Sequence, residues 1–460
     1  MASTIEEKED SGRQTRLVCM DCGHTADPLR ERVFKCPACG GLYDVHHKDW
    51  RAPSAYTRTS VFDERALPCQ SVYHNSGVWR FSRAEGLLMP FIKCEHIVSL
   101  GEGLHRIVRA GRHLHNWIGP KVDLWVLEEG ANPTGSFKDN GMTVAVSMAN
   151  ASGANIVICR STGDTSAAAA AYAARAGIPC VVLLPRDQGI TAAQMAQPLV
   201  HGATVIMYPG TFDSVKGAYN ELVESGAAYP VNSINPFRIE GHTATAYLIA
   251  QFFRWELPDW IAVPVGNGSD SSSVGIGMRR LLAAGIVKKP ARVLGVQAHS
   301  ADPLYAAWEH ARNGSRTLPS AEQWLAAYSA QEDHVPGRTA ATAQDIGDPA
   351  SYKKVIREIS GYEETDGFPG ARQTASEEDI RAAVAMAARD GIEICPQTGV
   401  ALAGLRNAVG KGIVPPEVRV VLVSTAHLTK FPDVAARASG NQIKEIASCS
   451  ADLIARIAGL

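Results

Sequence analysis

From about residue 90 onward the chain alternates between two kinds of segment, and that alternation leaves few folds open to it. Apolar runs rich in Val, Ile and Leu (VDLWVLEE, ANIVICR, PCVVLLP, TVIMYP, WIAVPVG, RVLGVQA and RVVLVST) have the length and composition of strands. Between them lie alanine-rich stretches such as TSAAAAAYAARAG and SSSVGIGMRRLLAAG, most of them ending at glycine, as helices often do. Strands separated by helices pair in parallel, because a parallel neighbour needs a crossover connection. The expected class is therefore α/β, with helices covering the sheets and ligands near the C-terminal ends of the strands. At 460 residues and 45% hydrophobic content the chain can bury more than one core. Residues 310–345 depart from the pattern, being polar and irregular, and read as an excursion or a loop.

Chemistry then has to be sought at the strand-to-helix junctions, and four of them are unusual. Asn132-Pro133-Thr134-Gly135-Ser136-Phe137 is a turn of restricted conformation that delivers Lys138. A lysine so placed can form a Schiff base with an aldehyde cofactor, provided its surroundings supply the neutral amine. Ser161-Thr162-Gly163-Asp164-Thr165 opens the next helix, where hydroxyls and free N–H groups either receive a carboxylate or simply cap the helix. Gly266-Asn267-Gly268-Ser269-Asp270 follows another strand, and its glycines let backbone amides close around a phosphate. After RVVLV, Thr425 can present a hydroxyl to a bound ring. An amine, a carboxylate receptor, a phosphate cup and a ring-nitrogen partner are the parts that a pyridoxal phosphate site requires.

The segments GSFKDNGMTVAVS, STGDTSAA, AQPLVHGA, NSINPFRIEGH, PDWIAVPVGN, IGDP, CPQTGVAL and VVLVSTAH resemble, in the same order, the successive motifs of plant-type threonine synthase. The resemblance covers residues 75–430 and implies a fold type II pyridoxal phosphate enzyme, tryptophan synthase β-like, with a large domain (48–140 and 256–460) and a small α/β domain (141–255). It implies pyridoxal phosphate on Lys138, with Phe137, Asp164, the loop Gly266 to Asp270 and Thr425 around it. Asn232, Ser233 and Arg238 match positions that hold a substrate phosphate, and Ser161, Thr162 and Thr165 would contact the substrate's α-carboxylate. The implied reaction is a lyase acting on phosphate, turning O-phosphohomoserine and water into threonine and phosphate in a homodimer. Departures at Leu104-His105-Arg106 and at Ser269-Asp270 leave room for a related, cysteate-synthase-like reaction on another activated amino acid such as O-phosphoserine. A non-catalytic metabolite-binding protein is the remaining alternative, and retention of Lys138 speaks against it.

A separate feature stands near the start. Cys19-x2-Cys22 and Cys36-x2-Cys39 present four thiolates to one tetrahedral ion, the pattern of a zinc-ribbon-like module over residues 16–47. With every ligand position filled by cysteine, a zinc ion there would be structural. The other cysteines are scattered, which fits buried apolar positions in a reducing compartment. Residues 1–15 are polar and read as a disordered tail, without the apolar core of a secretory signal, so a cytoplasmic location is expected. A net charge of −2 gives no global attraction to nucleic acid or an anionic membrane, and the longest apolar runs fall short of the roughly 20 residues needed to cross a bilayer. The expected partner is a small phosphorylated amino acid.

Overall fold

The computed structural model describes residues 15–47, 62–67, 71–82, 89, 92–161, 163–186, 192–209, 215–313, 318–331, 337–360 and 370–439. Residues 1–14 of the expected tail, Thr162, Cys69 and Cys449 lie outside the described residues, whereas Thr15, read as the end of that tail, is buried in a strand opposite His47. Three sheets organise the chain. Strands β1 (Thr15–Cys19), β2 (Thr25–Ala26) and β3 (Tyr43–His47) form a small antiparallel ribbon in the order β2-β1-β3. A six-stranded sheet takes β4 (Ile107–Arg109), β5 (Asp123–Glu128), β10 (Trp260–Pro264), β11 (Arg292–Ala298), β12 (Ala371–Ala375) and β13 (Arg419–Ser424) in the order β12-β11-β10-β13-β5-β4. Its strands are parallel except β4, which runs antiparallel along β5. A four-stranded parallel sheet, order β8-β7-β6-β9, is made from β6 (Val157–Arg160), β7 (Cys180–Pro185), β8 (Thr204–Tyr208) and β9 (Tyr229–Pro230).

Burial follows from this layering. Every residue of the central strand β10 is buried, as expected where helices cover both faces of a parallel sheet. On one face Ile261 and Val263 pack with Val274 and Met278 of a helix and with Leu17, Tyr43 and Val45 of the ribbon, so ribbon and large sheet share one core. On the other face Leu294 and Val296 meet Ile380, Val384 and Leu402. The four-stranded sheet has its own cluster, where Val157 and Val182 pack against Met142, Val146 and the run Ala168 to Ala171. Among the described residues no helix is long and apolar enough to cross a membrane.

Seven helices matter for the site: α1 (Lys138–Ala151), α2 (Asp164–Ala176), α3 (Pro236–His242), α4 (Ser269–Ala283), α5 (Ala321–Ala330), α6 (Tyr352–Ser360) and α7 (Pro396–Gly410). Helix α3 starts where Pro236 occupies the first turn and Asn235 accepts from the Phe237 N–H at 2.9 Å. It lies so close on α1 that a Cβ on Gly241 would overlap the backbone oxygen of Asn140. Gly241→Ala is accordingly expected to cost about 3 kcal/mol, the upper range for overpacking, read as a lowered denaturant midpoint with unchanged slope.

Two further expectations need correction. Helix α5 lies inside the stretch read as irregular: Ser320 and Gln323 form a reciprocal capping box, and Trp324 is fully buried with its indole N–H donating to the Leu304 carbonyl at 2.9 Å. The polar outer face of AEQWLAAYSA disguised a helix whose apolar side is one tryptophan and one tyrosine. Of the scattered cysteines, Cys159, Cys180 and Cys395 are buried as expected, whereas Cys94 is exposed at the start of a short 3-10 turn.

Candidate active site

The turn that delivers Lys138 is held from three sides. The Thr134 N–H and hydroxyl both donate to the Asp139 carboxylate, at 2.7 and 2.5 Å, closing the turn on itself. The Phe137 N–H donates to the Thr425 carbonyl at 2.9 Å, and the His427 N–H to the Gly135 carbonyl at 3.0 Å, anchoring it to the end of β13. The Gly103 N–H donates to the Asn132 side-chain oxygen at 2.8 Å. Lys138 is thus set at the first position of α1, with its Nζ 3.5 Å from the centre of the Phe137 ring.

Burial pushes the Lys138 amine well below the ordinary lysine value of 10.5, against the opposing pull of Asp164, with Arg238 adding to the depression. A neutral amine is the nucleophilic form. Cofactor uptake should therefore slow as pH falls, with a midpoint well below 10.5; stopped-flow mixing of stripped protein with pyridoxal phosphate across pH 6 to 10 reads this, and a midpoint at the ordinary value would contradict it.

Acidic groups crowd this amine. Asp270, second residue of α4, faces Lys138, and neither of its oxygens has a hydrogen-bond partner. Burial lifts its carboxyl well above the usual range even though Lys138 opposes the shift. A buried carboxyl raised in this way can keep its proton and donate a hydrogen bond. Glu129 is fully buried and raised by burial and by Asp270; it accepts from the Thr245 hydroxyl at 2.7 Å and lies 3.9 Å from His105. His105 is held neutral, pushed down to about 4 by burial. Asp139 is pushed up to about 7, chiefly by burial.

Cationic and neutral donors complete the surroundings. Arg238 on α3 is buried, donates to the Val231 carbonyl at 3.2 Å, and leaves its Nε and second Nη without partners. Burial lowers it only to about 10, so it stays a cation, and no carboxylate among the described residues pairs with it. The Asn140 amide is buried and unpartnered. His242 packs on Phe137 with ring centres 4.8 Å apart and is kept neutral by burial and by Arg238 and Lys138. Lys430, after β13, donates to the Thr134 carbonyl at 2.7 Å and to Gln197 at 2.8 Å, and pairs with Asp164 at 3.1 Å.

The loop Gly266 to Gly268 joins β10 to α4. Gly268 is left-handed at φ 83°, and a Cβ there would overlap Val355 of α6. The Asn267 carbonyl accepts from Ser351 N–H at 3.0 Å and its side chain from Ala350 N–H at 3.2 Å. Thr425 shares a buried cluster with Thr398, hydroxyls 3.2 Å apart, and with Cys395, Sγ to Oγ1 3.4 Å. Asn232 is fully engaged, bonding both the N–H and carbonyl of Arg160 and accepting from the Tyr219 hydroxyl, so its side chain braces the end of β6. Ser233 is half-buried in the following turn, Ser161 is half-buried after β6, and Thr165 is buried in the first turn of α2.

An amine, unpaired donors and a glycine-tightened helix start thus converge, which is a donor set fitted to an anionic aldehyde. The pyridoxal-phosphate dependent enzyme family matches residues 98–426. Along nearly its whole length the chain is 34% identical to threonine synthase of Methanocaldococcus jannaschii, over 95% of this chain and 98% of that one. The chain belongs to the threonine synthases. Threonine synthase 2, chloroplastic, of Arabidopsis thaliana is 36% identical over 91% of this chain and 77% of its own. The solved threonine synthase of Escherichia coli superposes with a TM-score of 0.66, covering 94% of this chain and 93% of that one at 17% identity, and so shares the fold. The fold type II assignment stands.

Sequence reasoning gave no role to Glu129, His105, Lys430 or the unpartnered Asn140 of this threonine synthase, all of them buried or nearly so. Cys395 and Thr398 stood within a family motif without a role, and their signal is the pairing of Thr398 with Thr425 across the sheet end. In the ribbon, the sulfurs of Cys19 and Cys39, and of Cys22 and Cys36, lie 3.5 Å apart, and all four ligand atoms fall within 4.8 Å of one another. A tetrahedron of sulfurs about 2.3 Å from zinc has edges of roughly 3.8 Å, whereas a disulfide needs about 2.05 Å.

Proposed function

We propose that this chain converts O-phosphohomoserine and water to threonine and phosphate with pyridoxal phosphate held on Lys138. The observation that carries the substrate class is Arg238: a buried cation with two unpaired donor atoms beside the amine is built to take a second anion, the substrate's own phosphate. When bound, pyridoxal phosphate supplies an electrophilic carbonyl and a conjugated ring that spreads negative charge from the substrate.

The chain's residues do the rest. The backbone N–H groups of the Gly266 to Asp270 loop and the Ser269 hydroxyl would hold the cofactor phosphate, and Asp164 would stand at the ring's oxygen. Thr425 Oγ1 would face the ring nitrogen, and as a hydroxyl it leaves that nitrogen free of enforced protonation. Ser161, Thr162 and Thr165 would receive the substrate carboxylate. Arg238 and Ser233 would bind the substrate phosphate, with Asn232 fixing the strand end beside them. Once displaced, the Lys138 amine would take the proton from Cα and then from Cβ, its depressed basicity making it neutral often enough to act as that base. The four ribbon cysteines would hold a structural zinc ion, and two copies of the chain would form a homodimer.

Incubating the protein in parallel with O-phosphohomoserine and O-phosphoserine, and following phosphate and the amino acid formed, tests this reading. Threonine and phosphate from the first substrate are expected. Turnover of O-phosphoserine alone would assign the related substitution chemistry. Zinc measured by atomic absorption at about one ion per chain is expected, with chelation lowering the melting temperature; metal-free protein of equal stability would refute the zinc site.

A further inference from the structure

The ribbon does more than cap the fold, because its strand β3 reaches two of the elements that build the candidate site. Asp44 pairs with Lys354 at 2.6 Å and with Arg357 at 2.8 Å, both on α6. Lys354 is buried and also donates to the Tyr43 carbonyl at 2.7 Å, so a buried ammonium ties α6 to β3. The next residue of α6, Val355, is the one that abuts Gly268, and Ser351 at the foot of α6 donates to the Asn267 carbonyl. The phosphate-facing loop is thus backed by α6, and α6 is held by Asp44.

Three residues along β3, the His47 Nε2–H donates to the Glu240 carboxylate at 2.8 Å, with both side chains almost fully buried. Glu240 lies on α3, two residues from Arg238, and is further pinned by Arg280 of α4 at 2.6 and 2.8 Å. Arg280 in turn donates to the Val45 carbonyl of β3 at 3.0 Å. Because α3 carries Arg238, this second anchor sets the height of the unpaired guanidinium.

We propose that β3 is a positioning strand with two separable outputs, Asp44 holding the cofactor-phosphate loop through α6 and His47 holding the substrate-phosphate arginine through Glu240. The inference rests on the assignment of those two anion sites. Neither residue touches a ligand, so both are positioning residues, and their effects divide by site.

The test uses the full-length protein and reads binding, not only turnover. Asp44→Asn should weaken pyridoxal phosphate affinity, measured by fluorescence titration of stripped protein, by about tenfold, the equivalent of one charge-assisted hydrogen bond lost from the support. The same variant, once loaded, should bind inorganic phosphate as the wild type does. His47→Leu should show the reverse pattern, with inorganic phosphate bound to the loaded protein about tenfold more weakly and cofactor affinity unchanged. His47→Gln, which keeps a donor toward Glu240, should restore phosphate binding. If Asp44→Asn does not fold, Lys354→Met removes the other partner, and hydrogen exchange of residues 265–275 against 231–242 in the full-length protein reads the same coupling. Parallel losses at both sites, or lowered melting temperature with neither affinity changed, would overturn the proposal. Because inorganic phosphate and cofactor are the probes, these outcomes stand even if O-phosphohomoserine proves not to be the substrate.

Discussion

Lys138→Ala should lose phosphate release from O-phosphohomoserine by about 10³-fold or more, since on the proposed reading one side chain would both hold the cofactor and move the protons. The other lysine of the site, Lys430, is committed to the Thr134 carbonyl, Gln197 and Asp164. The groups facing the amine include the acids Asp164, Asp270 and Glu129, the Cys395 thiol, raised by burial, Arg238, which stays charged, and His242, which is held neutral and packed against Phe137. The fold should survive, because the residue lies at the first position of a helix and alanine favours that structure. Borohydride reduction followed by peptide mass analysis should find the cofactor on the peptide containing position 138 in the parent protein and on none in the variant. Location on another lysine, or a variant that keeps its rate, would end the account.

Arg238→Gln should produce an opposite pairing of effects on stability and on binding. Removing one partner of a buried, hydrogen-bonded charge pair costs about 3 kcal/mol, so KM for the phosphorylated substrate should rise by a factor of roughly 100. The unliganded protein, by contrast, should melt no lower than the parent, because the buried guanidinium has two unpartnered nitrogens and no facing acid to lose. Cofactor uptake should shift only slightly toward higher pH, because Arg238 makes a lesser contribution than burial to the depressed basicity of Lys138. Steady-state kinetics with scanning calorimetry separates the cases: a large fall in melting temperature with unchanged KM would make Arg238 a structural residue.

Much of the architecture was legible because it depends on local pattern. The seven apolar runs became strands of the two parallel sheets, and helices such as Asp164–Ala176 ended at glycine in the left-handed conformation, Gly177 at φ 69°. Strand order was not legible: β13 inserts between β10 and β5, segments more than a hundred residues distant, and nothing local encodes that pairing. The turn around Lys138 could be read from its proline, glycine and hydroxyl residues. The acids around it could not, since Glu129, Asp139 and Asp270 look like surface residues until burial strips their solvent. Asn232 shows the converse, a motif residue whose side chain is wholly engaged with the strand beside it. Helix α6 escaped notice for the same reason as Lys354, a charged residue buried only because Asp44, over three hundred positions earlier, meets it.

Lys430 carries a practical message for anyone who shortens or tags this protein. Its ammonium fastens the chain beyond the last strand to the turn bearing Lys138, to Gln197 and to the first residue of α2. A truncation that ends before it would strip the counter-charge from Asp164 and unfasten three segments at once, so deletions from the C-terminal side should stop short of Phe431, and inactivity in a shorter version would report a cut tether and say nothing about the catalytic groups.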